Sequence, residues 1–234
     1  MVERIDKIIA SQGKYSRSQV KKLIRQNKVE VDGEIIKSSA IKVDPDKSRI
    51  TLEGLDIIYR EFIYLILNKP KGYVSARVDK DHQTVLDLVP KELTGRKLFP
   101  AGRLDIDTRG LMIITDDGLF AHNILSPKKD IKKTYQVELD IPVTEEMVQG
   151  FASGVELNDG ICKEALLEIR SKKTARVTLK EGRYHQVKRM FGCFGAKVIE
   201  LQRVAMGNLT LPEDLPEGLS RELSDQELEL LQQL

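Results

Sequence analysis

The stretch 101–118, AGRLDIDTRGLMIITDDG, constrains this chain more than any other. Leu111-Met112-Ile113-Ile114 is apolar at every position, which reads as a core strand, and Asp116-Asp117-Gly118 ends it as a turn would. Ahead of the strand come a loop-like Ala101-Gly102-Arg103, then Leu104, Asp105, Asp107 and Arg109. Two carboxylates and two arginines therefore stand at the end of a rigid element, where chemistry is usually mounted. Spacing alone favours a plainer reading, in which Asp105 and Asp107 are surface turn carboxylates paired with Arg103 and Arg109.

The chain has 234 residues, enough for one large domain or a large and a small one, and at 41% hydrophobic it can bury a core. No apolar run approaches the ~18 residues of a bilayer span, and the N-terminus has no secretory apolar core. Cys162 and Cys193 lie far apart and outside any metal spacing, so they read as reduced thiols of the cytoplasm. The three histidines form no metal-ligand pairing, and no metal site is expected. His122 is assigned no role. Net charge is +2, but residues 1–28 hold eight basic and two acidic side chains, whereas 211–234 hold one basic and seven acidic. A basic head is the electrostatic footprint of a phosphate-binding surface.

That head reads as a small separate module, residues 1–58. Ile5, Ile8 and Ile9 recur at helical spacing, and Gly13 breaks the helix. Ser16 and Gln19 form a capping box for a second helix, with Val20, Leu23 and Ile24 on its buried face and Lys21, Lys22 and Arg25 on its other sides. Asp32-Gly33 between two alternating segments has the composition of a tight hairpin. Residues 44–60 read as the close of the module and a linker. The large domain, 59–234, then opens with an apolar strand at 62–67, a polar turn (Asn68-Lys69-Pro70-Lys71-Gly72) and a second strand at Tyr73–Ala76. Residues 77–98 read as an irregular loop over the site. Leu119–Leu125 reads as a short helix, 126–129 as a basic turn, 131–139 as an alternating strand, and Thr144 as the cap of a helix ending near Gly154. A hairpin around Asn158-Asp159-Gly160, strands at 165–170 and 174–180, a helix at about 185–194, a strand at 197–204 and an acidic tail helix with Leu223, Leu228 and Leu231 complete it. The fold class is α+β, with a mainly antiparallel mixed sheet flanked by helices.

Three strings carry a resemblance. LNKPKGYVS at 67–75, GRLDIDTRGL at 102–111 and EGRYHQVKRMF at 181–191 are similar to the motifs of the RsuA-type pseudouridine synthases, in the expected order. RIDKIIA, SRSQV and KVEVDGEII in the head resemble the S4-like RNA-binding module. The resemblance implies that a uridine of RNA is isomerised to its C-glycoside without cofactor or metal, which agrees with the absence of any Walker A loop or dinucleotide fingerprint. It implies Asp105 as nucleophile, Tyr135 (in KKTYQVEL) as the ring that stacks on the base and moves a proton from C5, Lys188 as the cation beside Asp105, and Arg103 as a hold on the displaced nucleotide. Many relatives carry arginine at the Lys188 position; lysine gives a point charge in place of a bidentate fork. The resemblance implies a scaffolding role for LNKPKGYVS, with Lys69 and Lys71 as backbone contacts. Arg4, Lys7, Arg17, Lys21, Lys22 and Arg25 are the implied RNA contacts.

The wording RYHQVKRMF and GRLDIDT is nearest the branch acting on small-subunit 16S rRNA, at uridine 516, with rRNA or a partly assembled small subunit as partner and the enzyme a monomer with no membrane association. Three rivals remain at this point. One is a 23S rRNA synthase. Another is a non-catalytic S4-type ribosome-assembly factor, which has no reason to keep Asp105, Tyr135 and Lys188 together. The third is a hydrolase holding a metal on Asp105 and Asp107, disfavoured because the phosphate loop is missing.

Overall fold

The computed structural model describes residues 1–126 and 129–232. Pro127 and Lys128 of the expected basic turn lie outside the described residues. The chain divides into two compact units, Met1–Ile63 with Val89–Leu98, and Tyr64–Leu88 with Phe99–Leu234.

The first unit holds strand β1 (Glu3–Arg4), helices α1 (Ile5–Ser11) and α2 (Arg17–Arg25), and strands β2 (Val29–Val31), β3 (Glu34–Ile35), β4 (Lys42–Val43), β5 (Ile50–Leu52) and β6 (Leu55–Asp56). Ser16 accepts from the Gln19 backbone N–H while the Gln19 side chain accepts from that of Ser16, so α2 begins at the expected capping box. Ile5, Ile8, Ile9, Val20 and Ile24 form one core with Val29, Ile50 and Leu52. Asp32 and Gly33 both have positive φ, 52° and 86°, as a two-residue hairpin between β2 and β3 requires. The stretch read as a linker is part of this unit instead. Ile50, Thr51 and Leu52 are all buried, and β5 joins a four-stranded sheet in the order β3-β2-β5-β6. Its Pro, Gly and charged residues make the turns around β5, and those turns give it the composition of a linker. The boundary therefore falls after Ile63 and not near Tyr59, and 89–98 packs with the head. Arg96 explains part of this, because its buried guanidinium donates to the carbonyls of Arg60 (3.1 Å) and Glu61 (2.7 Å).

The second unit is built on a nine-stranded sheet: β7 (Tyr64–Lys69), β8 (Phe99–Ala101), β9 (Arg109–Thr115), β10 (Lys133–Leu139), β13 (Leu166–Ile169), β14 (Thr174–Leu179), β15 (Val198–Met206), β16 (Leu209–Thr210) and β17 (Ser220–Glu222), with β11 (Glu156–Leu157) and β12 (Gly160–Ile161) pairing separately. The main order is β13-β14-β10-β15-β9-β7-β17. Every pairing is antiparallel except β15 with β9. Helices α3 (Gly118–Leu125), α4 (Glu145–Ser153), α5 (Gln186–Gly192) and α6 (Asp225–Gln232) flank it. Residues 110–115 of β9 are all buried. Leu111 and Ile113 pack with Phe120 and Ile124 of α3 and Leu231 of α6, so the tail helix caps one face of the sheet. Asp117 is an N-cap as well as a turn residue, its side chain accepting from the Phe120 N–H at 2.9 Å. Tyr73–Ala76 is not a strand, since Val74 makes one isolated bridge to Thr84 and Ser75 turns toward the loop before β9. Among the described residues no helix is long and apolar enough to cross a membrane.

Candidate active site

Asp105 stands in the loop between β8 and β9, and that loop is clamped on all sides. The Ser75 hydroxyl donates to the Leu104 carbonyl (2.7 Å) and accepts from the Leu104 N–H (2.9 Å). The Thr108 N–H donates to the Asp105 carbonyl (3.1 Å), and the Gly72 N–H to that of Ile106 (2.7 Å). Lys69, buried at the end of β7, donates to the carbonyls of Pro70 (3.0 Å), Asp105 (3.1 Å) and Thr108 (2.7 Å). Burial pushes its amine from 10.5 down to about 8, against the pull of Asp107 and Asp105. Gly110 lets β15 approach. Its φ is +106°, and a Cβ there would lie 2.2 Å from the Arg203 carbonyl oxygen, at the parallel pairing with β9.

Helix α5 brings the cation. Val187, Met190 and Phe191 anchor it, with Phe191 against Phe151 of α4 at 4.7 Å between ring centroids. Lys188 Nζ then lies 2.9 Å from Asp105 Oδ2 and 2.5 Å from Asp107 Oδ1. Burial works against the Lys188 charge, but hydrogen bonds to Asp107 and Asp105 outweigh it and raise its pKa. Burial likewise pushes Asp107 up, and Lys188 outweighs it, leaving that carboxyl below its ordinary range. The other two basic residues of the string point elsewhere. Arg189 holds Asp159 at 2.6 and 3.1 Å, and Arg183 donates to the carbonyls of Gly160 and Ile161, so both brace the β11–β12 hairpin.

A cleft of about 540 Å³ opens over this arrangement. Asp105, Arg103, Tyr135, Ser75, His185 and Arg203 are among its walls. Tyr135 lies on β10, buried, opposite Arg203 of β15. Arg103 is exposed at the cleft and has no ion-pair or hydrogen-bond partner among the described residues. Thus Asp105, Tyr135 and Arg103 share one cavity, and Lys188 touches the carboxylate. The plainer pairing of Asp105 and Asp107 with Arg103 and Arg109 is not what forms. Both carboxylates go to Lys188, and Arg109 faces Glu200 (3.8 Å) and Glu217 (3.5 Å). Lys71 pairs with Glu200 at 2.6 Å.

The sequence motifs give His185 no role, yet its Nε2 lies 3.4 Å from Asp105 Oδ1. It adopts a left-handed conformation (φ 48°) just before α5 and stacks on the exposed Tyr184 ring at 3.9 Å. The left-handed turn sets the imidazole beside the carboxylate, a placement that only coordinates reveal.

The basic face of the first unit is a separate matter. Arg4 and Arg17 both hold the fully buried Asp6, each at 3.1 Å, and Lys7 pairs with Glu3. Burial pushes the Asp6 carboxyl up, but the two guanidinium groups outweigh it and hold it below its ordinary range. Lys21, Lys22 and Arg25 are exposed on α2 without a side-chain partner among the described residues. Three of the six expected RNA contacts are therefore free, and three already hold acids.

Residues 63–192 match the RNA pseudouridylate synthase family, and residues 3–47 match the S4 domain. The chain therefore belongs to the RNA pseudouridylate synthase family, in its RsuA-type branch with an N-terminal S4 domain. It is 42% identical over 233 residues to an uncharacterized RNA pseudouridine synthase, YtzG, of Bacillus subtilis, covering 97% of this chain and 98% of that one. It is 43% identical over 228 residues to ribosomal small subunit pseudouridine synthase A of Escherichia coli K12, covering 96% and 98%. A solved pseudouridylate synthase superposes with a TM-score of 0.69 at 42% identity, over 97% of this chain and 99% of that one.

Proposed function

We propose that this enzyme converts one uridine of 16S small-subunit rRNA, uridine 516, to pseudouridine, acting in the cytoplasm as a monomer on rRNA or a partly assembled small subunit. The substrate assignment draws on the small-subunit relatives and on the string RYHQVKRMF. The observation that carries the chemistry is the Asp105 carboxylate, one-quarter exposed in the cleft and 2.9 Å from the Lys188 ammonium.

A base inside a stacked helix cannot reach this carboxylate, so the uridine is flipped out, at a cost of roughly a few kcal/mol. Phosphate contacts from Arg103 and from the basic face of α2 offset that cost. The Lys188 ammonium, 2.9 Å from Asp105 Oδ2, holds the attacking carboxylate oxygen at the cleft. The carboxylate attacks the nucleotide, the N1–C1′ bond breaks, and the uracil turns against the Tyr135 ring. C5 then bonds to C1′ as the Asp105 carboxylate departs, C5 loses a proton and N1 gains one, and Tyr135 moves the proton from C5. The clamped 104–108 backbone keeps the carboxylate from drifting as the base moves.

The test is Asp105→Asn. It is isosteric, so folding and RNA affinity stay near wild type while pseudouridine formation falls by on the order of 10⁴ or more. Turnover like wild type removes Asp105 from the nucleophile role. Mapping new pseudouridines on bare 16S rRNA, partly assembled small subunits and 23S rRNA tests the substrate. Modification of 23S rRNA alone overturns the small-subunit assignment and leaves the chemistry standing.

A further inference from the structure

Two cationic side chains in the cleft, Lys133 and Arg203, have no carboxylate partner among the described residues. Arg203 is fully buried. Its Nε donates to the Leu111 carbonyl at 2.7 Å, and its buried Nη2 has no hydrogen-bond partner among the described residues. Lys133 is half-buried, and its Nζ donates to the Ile131 carbonyl at 3.2 Å, which leaves two N–H donors open. Burial first, and then the nearby Arg203 charge, bring the Lys133 amine down from 10.5 to about 8. Enclosing two unneutralised cations is unfavourable, and such groups are retained where a ligand supplies the missing charge.

The register says which part of a nucleotide meets them. Lys133 and Tyr135 are two residues apart on β10, so they share a face, about 6–7 Å apart along the strand, and both line the cleft. The ring that stacks on the base thus has this ammonium as its neighbour. Arg103 and Lys180 line the same cleft but are exposed, so they suit a backbone phosphate, whereas Lys133 and Arg203 are the more buried cations.

We propose that Lys133 is a further catalytic residue, which donates a hydrogen bond to a uracil carbonyl oxygen and stabilises the negative charge the base acquires as the isomerisation begins, with Arg203 as a second, fixed positive charge. The inference rests on the reading of this cleft as the uridine site. If Asp105 attacks C1′, the C1′–N1 electron pair leaves with the uracil and spreads over N1, O2 and O4. If Asp105 adds to C6, the C5–C6 π pair moves toward O4, and the C1′–N1 bond then breaks. Both routes place charge on a carbonyl oxygen of the base. The base then turns, C5 bonds to C1′, the carboxylate departs, C5 loses a proton and N1 gains one, so the product is an isomer and no co-reactant is consumed.

The test is a kinetic comparison of wild type, Lys133→Met and Lys133→Arg on RNAs carrying uridine, 2-thiouridine or 4-thiouridine at the target position. The charge develops only after binding, so Lys133→Met lowers kcat on the order of 100-fold and leaves KM within about threefold. Lys133→Arg recovers part of that loss. Sulfur accepts hydrogen bonds poorly, so on one of the two thio-substituted RNAs the Lys133→Met defect shrinks by about fivefold or more. A loss confined to KM marks a phosphate contact, an equal defect on all three RNAs marks a structural role, and no loss marks no role; each overturns the proposal. Failure of the underlying reading looks different, because wild type then forms no pseudouridine in any RNA.

Discussion

At the scale of single residues, one ammonium serves two carboxylates. Lys188 lies within 3 Å of Asp105 and Asp107, yet the two acids are not equivalent. Asp105 lines the cleft and is 24% exposed, whereas Asp107 is 62% exposed and is not part of the cleft wall. A largely solvated partner is worth about 0–1 kcal/mol, so Asp107→Asn keeps turnover within about fivefold of wild type while Asp105→Asn abolishes it. Measuring both variants on the same RNA identifies the nucleophile, because loss in the Asp107 variant and retention in the Asp105 variant would reverse the assignment. Asp105, Tyr135, Lys188 and Arg103 could be proposed from the sequence because each falls inside a string whose wording is specific, and the fold brings Asp105, Tyr135 and Arg103 to one cleft with Lys188 on the carboxylate. Lys69 and His185 fall inside the same strings, but what they do depends on carbonyls and a carboxylate that the fold delivers from other segments. Asp6 stayed hidden for a similar reason, since one acid among basic residues reads as solvated until Arg4 and Arg17 are seen to enclose it.

Among the elements, the C-terminal helix α6 shows how a surface pair titrates. Both terminal nitrogens of Arg221 hold Glu227 (2.7 and 2.8 Å), the Ser224 N–H donates to the same carboxylate, and the Ser224 hydroxyl accepts from the Glu227 N–H. Arg221 above all brings the Glu227 carboxyl from 4.5 down to about 2. A carboxyl depressed on folding stabilises above its unfolded pKa and loses that contribution as pH falls through the folded one. Glu227→Gln keeps an acceptor for the Ser224 N–H and loses the ion pair, so it costs about 1 kcal/mol at neutral pH, a discounted value because Arg221 is 41% exposed. The deficit narrows between pH 4.5 and about 2 and is gone below that, which denaturant melts of both proteins across the range will show. Most elements were legible because their periodicity matches their burial, as in β9, the α2 capping box and the Asp32-Gly33 hairpin. Two were not. Tyr73–Ala76 has strand composition, but Ser75 is turned to the Leu104 backbone. Residues 50–52 look like linker until the pairing with β2 buries them.

For the whole molecule, the two units have separate cores, and the proposed work divides between them. The second unit holds the cleft; the first has the free cations of α2. Deleting residues 1–58 would be a poor test of this division, because Val89–Leu98 packs with the head and the buried Arg96 would be deprived of the Gln12 side chain it reaches at 3.4 Å. Replacing Lys21, Lys22 and Arg25 together by Ala leaves that packing intact, since all three are exposed on α2 and have no side-chain partner among the described residues. Abolishing one cation–phosphate pairing reduces the slope of log affinity against log salt by about 0.7–0.9, so abolishing three flattens it by about 2–3. The triple variant therefore binds a 16S rRNA fragment more weakly than wild type at low salt, and the gap closes as salt rises. At saturating RNA its turnover equals that of wild type, because none of the three residues belongs to the unit that holds Asp105. Affinity titrations from low to high salt, with turnover measured at saturation, check both statements: parallel salt plots for the two proteins would remove α2 from the RNA interface, and reduced turnover at saturation would contradict the division of work.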